Sequence, residues 1–212
     1  LMKKYITLSF FLFFSVSILS QEGSKILLEK KLSEMYNADQ GIRKSLINID
    51  TQYAGSDYLK ERKDSVLTIM KKVDKENQLF VSHLLDSIGW PSDLSFQGNM
   101  AIFLVIQHSD SAYMNKYAYI VEEGYIKGSI VPDLYAIFKD RILVYANKAQ
   151  IYGSQIINGY VWPIEDVENV DDRRKKMNLS SMDEYLKSFG SNAITWDKKM
   201  TVERMHIKII GD

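Results

Sequence analysis

A mainly α-helical domain with one small β-hairpin is what this sequence predicts, and three observations carry the prediction. Apolar residues recur at spacings of three and four over two long stretches, 21–53 and 58–88, the signature of one buried helix face. Met100 to Ile106 has no polar side chain; it is too short to span a membrane and suits an element buried on every side. Residues 150–164 alone are rich in β-branched and aromatic types, and Asn158-Gly159 in their midst is a strong hairpin signal.

A length of 212 residues implies one domain. Lysine plus arginine and aspartate plus glutamate are both 27, so no overall charge draws the chain to nucleic acid. Cysteine is absent, which excludes disulfides, cysteine-ligated zinc, iron–sulfur clusters and a thiol nucleophile.

The first twenty residues read as a secretory signal peptide outside the fold. Lys3 and Lys4 precede an apolar run, Tyr5 to Leu19, and Ser20 offers a small residue before Gln21. Ile18 is bulky for a cleavage site, and the competing reading is an uncleaved anchor. Without a nearby cysteine a lipoprotein is excluded. Residues 21–212 are then one exported helical domain, periplasmic or extracellular, with no membrane span once the leader is gone.

The elements follow in order. Gln21 to Tyr53 is a long helix with the seam Leu28, Leu32, Met35, Ile42, Leu46, Ile49 and Tyr53, interrupted by Asp39. Arg43 lies one turn on, where it can pair with that carboxylate, and Gln40 lies beside them. Ser56 or Asp57 caps a second helix, Tyr58 to Ile88, with the seam Val66, Met70, Val73, Phe80 or Val81, Leu84 and Ile88, interrupted by Asn77. Gly89 and Pro91 end it.

Asp93 to Gly98 is a loop. Met100 to His108 reads as a helix, although so apolar a run also suits a buried strand. Ser111 to Glu123 is a helix with Met114, Tyr117 and Val121 on one face, leaving through Gly124 and Gly128. Pro132 starts another to about Asn147, with the stripe Leu134, Phe138 and Tyr145 and Arg141 upon it. Strands are expected at Ile151–Ile157 and Tyr160–Pro163. Asp171 to Asn178 is a short charged helix, and Ser181 to Glu184 is a capping box for a last one, to Phe189. The tail, Thr201 to Ile210, reads as an extra strand or a loose end.

Polar residues at apolar positions are the best pointers to a site. Burying an unpaired carboxylate costs several kcal/mol, so Asp39 and Asn77 imply partners or a polar cavity. The plain alternative for Asp39 is a structural ion pair with Arg43 or Arg141. Gln107, His108 and Asp110 can supply a general base with an orienting acid; equally, His108 can cap the buried element. Three histidines without an HxxxH or HExxH pattern give no metal centre. GxSxG, GxGxxG and P-loop motifs are missing, so no cofactor is expected. Gly153 within Gln150, Tyr152, Ser154 and Gln155 admits either a ligand or a simple bulge.

Taken in order, Asp39-Gln40 with Arg43, Gly89-Trp90-Pro91, Gln107-His108-Ser109-Asp110, Asp140-Arg141, Gln150-x-Tyr152-Gly153-Ser154-Gln155, Pro163-Ile164-Glu165-Asp166 and Asp172-x-Arg174 resemble a bacterial, Bacteroidetes-type family known as a domain of unknown function. The resemblance spans about Tyr36 to Tyr185 and implies no activity. Its positions are mostly Asp, Gln, His, Arg and Tyr, whereas a packing signature would be apolar, so it implies a shared polar site. Ser109 and Ser154 stand where the family usually has Ala and Thr, which argues against either as a nucleophile.

The leading expectation is an exported hydrolase acting on a small polar or anionic substrate. Asp39 and His108 would do acid–base work with Asp110 orienting. Arg43, Arg141 and Arg174 would bind an anionic group, and Gln107, Gln150 and Gln155 would position the substrate. Gln40, Asn77, Asp140, Tyr152 and Asp166 would complete the polar wall. The alternatives are a non-catalytic module for a small ligand, and a scaffold whose polar groups only tie helices together.

Overall fold

In the computed structural model the backbone of residues 2–190 and 193–210 is described, with the side chains of 22–190 and 193–206. Among these residues there are eight α-helices, a single 3-10 turn and a two-stranded antiparallel hairpin. The fold is therefore mainly α with a small hairpin, as the sequence predicts. The leader reading falls on 1–20, whose side chains lie outside the described residues. Among the described residues no helix is long and apolar enough to cross a membrane. The chain forms two compact units, 1–105 and 106–212.

In the first unit, α1 (Met2–Gln52) and α2 (Leu59–Ile88) pack along their seams. On α1, Leu32 and Met35 are buried and Asp39 follows in the same stripe. On α2 the buried stripe is Asn77, Val81 and Leu85, whereas Ile88 is exposed. The expected seam thus drifts by one position at its end, because Leu85 lies a full turn beyond Val81. The caps differ from expectation as well. Tyr58 occupies the N-cap position without a side-chain bond, and Ser56 Oγ accepts from the Tyr58 N–H instead. Gly89 ends α2 at φ 70° with its N–H on the Leu85 carbonyl.

Helix α3 (Phe96–Gln107) settles the apolar run as helix and starts four residues early, inside the expected loop. Ser95 explains the early start: its hydroxyl accepts from the Gly98 N–H at 3.0 Å. Its own N–H and hydroxyl donate to Glu29 on α1 at 2.6 and 2.8 Å. Ala101, Ile102, Phe103, Val105 and Ile106 are buried, as an element apolar on every side requires.

In the second unit, α4 (Ser111–Ile126) buries Met114, Tyr117 and Val121 and runs past Gly124 to a close at Gly128, φ 79°. Helix α5 (Pro132–Tyr145) buries Tyr135, Ala136, Phe138, Asp140 and Val144. Of the expected stripe Phe138 is buried, but Leu134, Arg141 and Tyr145 are not, and Asp140 rather than Arg141 faces inward. Tyr135 stacks on Tyr125 with ring centres 4.3 Å apart.

The hairpin is shorter than expected. Strands β1 (Ile156–Ile157) and β2 (Tyr160–Val161) pair Ile156 with Val161 and Ile157 with Tyr160. Asn158 and Gly159 both have positive φ, 49° and 79°, as a two-residue turn of this twist demands. Residues 151–155 are not strand, because the N–H groups of Ile151, Tyr152 and Ser154 turn to Asp140 and that of Gln155 to Gln150. After a 3-10 turn (Val167–Asn169) come α6 (Val170–Lys176) and α7 (Met182–Lys187), whose capping box of Ser181 and Glu184 is complete.

The tail is neither strand nor loose end but a helix, α8 (Val202–Ile210). Thr201 Oγ1 accepts from the Arg204 N–H at 3.3 Å, and Met205 is buried with Trp162 and Val144.

Candidate functional site

The second unit is organised around a carboxylate. Asp140 is wholly buried and accepts four hydrogen bonds. Oδ1 takes the N–H groups of Ile151 and Tyr152 at 2.7 and 2.9 Å. Oδ2 takes the N–H and the hydroxyl of Ser154 at 2.9 and 2.8 Å. Burial pushes the Asp140 carboxyl up from the usual carboxylate range, and these four bonds pull the other way. A group so enclosed has no lone pair left to offer a substrate; it folds residues 151–154 around α5.

Gln150 finishes that loop. It is wholly buried; its Nε2 donates to the carbonyls of Gln155 and Trp162 at 3.1 and 2.7 Å. Its Oε1 accepts the Gln155 N–H at 2.8 Å. Gly153 sits at φ 73°, and a Cβ there would lie 2.7 Å from Met182 Sδ and 2.8 Å from Ile164 Cδ1. The close approach that needs this glycine is thus by side chains of its own unit.

Two arginines stand beside this loop. Arg174 is 1% exposed and donates through Nε to the Ser180 carbonyl at 2.5 Å and through Nη1 to the Tyr152 carbonyl at 2.7 Å. Its guanidinium carbon lies 4.8 Å from the Tyr185 ring centre, within reach of the ring face. Burial lowers its pKa, with Tyr185, Asp171 and Asp140 opposing. Arg141 donates through Nη1 to the Gln107 carbonyl at 2.9 Å and reaches Gln155 Oε1 at 3.5 Å. Tyr185 is fixed by its hydroxyl, which donates to the Ser154 carbonyl at 2.9 Å.

Arg141, Arg174, Ser154, Gln155 and Tyr185 line a cleft of about 370 Å³ together with Ile137, Ile156, Leu179, Ser180 and Phe189. That is at the lower end of small-molecule sites, roughly 300–1,000 Å³. Among the described residues, neither arginine has a carboxylate within ion-pair distance. Among the described residues that line the cleft, none is aspartate, glutamate or histidine.

The other expected site residues are held by local partners within their own units. In the first unit, Asp39 accepts from Arg43 Nε at 3.0 Å and from Gln40 Nε2 at 2.8 Å. Arg43 also reaches Asp74 on α2 at 3.3 Å, so the group ties the two helices. Asn77 is buried with its Nδ2 unbonded; in the second unit, Gln107 is buried with its Oε1 unbonded. In the second unit, His108 is half-buried just after α3. Asp110 is exposed and caps α4, accepting the Tyr113 N–H at 2.9 Å. Asp166 is exposed at φ 46° and accepts from Asn169 and Arg173.

Several residues that build this region were not expected. Arg173 donates to the carbonyls of Ile151, Glu165 and Asp166, a role hidden within the basic run Arg173–Lys176. Tyr185 on α7 and Phe189 just beyond its end, in edge contact at 5.1 Å, form an aromatic face that their spacing could have signalled.

A family model described as a family of unknown function, DUF6624, matches residues 27–194. The chain belongs to this family. The DUF6624 match takes in both networks and the whole lining of the cleft, and leaves out residues 1–20 and α8. No curated protein and no solved structure matches the chain.

Proposed function

We propose that the second unit is a non-catalytic binding module for a small anion, held in the cleft by Arg141 and Arg174. One observation carries the reading: two guanidinium groups, one of them 1% exposed, line the same cleft without a carboxylate partner among the described residues. Withdrawing a cation from water with no carboxylate in ion-pair contact costs several kcal/mol, a cost that the more distant charges of Asp171 and Asp140 reduce. Backbone carbonyls and the Tyr185 ring offset part of that cost, and an oxyanion offsets the rest with charge-assisted hydrogen bonds. Among the described residues the lining supplies no carboxylate or imidazole to move a proton, so binding suits it better than acid–base hydrolysis.

The proposal includes export through the leader at 1–20 and the bacterial, secreted setting implied by the ordered motif set. N-terminal sequencing of protein recovered from outside the cytoplasm tests this: a start at Gln21 supports it, and an intact leader on cytoplasmic protein counts against it.

Calorimetric titration of the full chain with inorganic phosphate and with acetate tests the site. Saturable binding that Arg141→Gln weakens at least about tenfold, a loss of about 1.4 kcal/mol, is the expected result. Glutamine removes the charge and is too short to keep the bond to the Gln107 carbonyl, so the variant's unfolding is measured alongside and a folded variant is required. Equal affinity in the variant overturns the reading.

A further inference from the structure

Resting on that reading, we infer that the anion is amphipathic: an oxyanion head on Arg141 and Arg174, carrying an aliphatic or aromatic body. The cleft that holds the arginines is also walled by apolar groups. Ile137 stands one turn before Arg141 on α5, so the cationic and apolar walls meet along one helix face. The Tyr185 and Phe189 rings meet edge to face across one turn at the end of α7. Phe189 is 46% exposed although it lines the cleft. A large aromatic side chain left open beside two arginines gains burial from an apolar body, and bare phosphate or acetate would leave that surface wet. An alkyl chain placed there gains about fourfold in affinity for each methylene fully buried.

The full chain is titrated with acetate, hexanoate, hexyl phosphate and 1-hexanol. Hexanoate or hexyl phosphate is expected to bind at least about tenfold tighter than acetate, and whichever is tighter names the head group. Phe189→Ala should shrink that ratio, because it removes apolar surface from the tail side of the cleft. Acetate binding as tightly as hexanoate overturns the amphipathic class and leaves the anion site standing. 1-Hexanol binding as tightly as hexanoate, or no anion binding at all, overturns both.

Discussion

Ser154 supplies Asp140 with two of its four hydrogen bonds, from its N–H at 2.9 Å and from its hydroxyl at 2.8 Å. The same residue lines the cleft, and its carbonyl accepts the Tyr185 hydroxyl. The buried carboxylate and the cleft wall are therefore one piece of construction: Asp140 holds the loop, and the loop holds the side of the cleft.

Asp140→Asn tests that dependence. An amide keeps one acceptor and turns two N–H donors towards groups that are themselves donors, so at least one buried bond is lost and another opposed. Denaturant unfolding should show a loss of about 2–4 kcal/mol. A loss below about 0.5 kcal/mol would mean that the four bonds do little for the fold.

Gly153→Ala should cost about 1–3 kcal/mol by the same measurement. The residue sits at φ 73° and its new methyl would meet Met182 and Ile164. Neutral or raised stability would mean that the loop is slack there.

In the first unit, Asp39→Asn removes the charge that Arg43 and Gln40 share. Arg43 keeps Asp74 at 3.3 Å, so the expected loss is modest, about 1–2 kcal/mol. Raised stability would instead mark Asp39 as a strained group retained for function.

Alkaline titration reads the tyrosines. Burial is the main cause raising the pKa of Tyr135, Tyr152 and Tyr185; Glu122 adds to it for Tyr135 and Asp140 for Tyr152, while Arg174 opposes it for Tyr185. A phenol raised in the folded state contributes stability that is complete below its unfolded value, about 10, and is lost as pH rises through the folded value. Stability should therefore fall above about pH 10, and tyrosinate absorbance from these three should grow in step with unfolding. Full tyrosinate formation in a still-folded chain would contradict the burial.

The helical seams were legible because a buried stripe on a long helix repeats often enough to stand out. Asp39 and Asn77 showed up as breaks in it, and both are buried. What stayed hidden depended on partners remote in sequence. The start of α3 rests on Glu29, 66 residues from Ser95. Residues 151–155 have the β-branched, aromatic look of a strand, but a carboxylate on α5 takes the N–H groups of Ile151, Tyr152 and Ser154 before a second strand can. The expected α5 stripe took Arg141 in place of Asp140 because the two are adjacent and equally polar, and hydropathy alone cannot say which is enclosed. The cleft was hidden for the same reason: its lining comes from α5, the loop, β1, α6 and α7, with apolar members such as Leu179 that no motif marks.

The most direct measurement is an amide-resolved NMR titration of the full chain with hexanoate. Saturable shifts concentrated on Ser154, Gln155, Ser180 and their neighbours, and absent in Arg141→Gln, are the predicted result. No saturable shift at those amides, or the same shifts in the variant, would contradict the anion cleft.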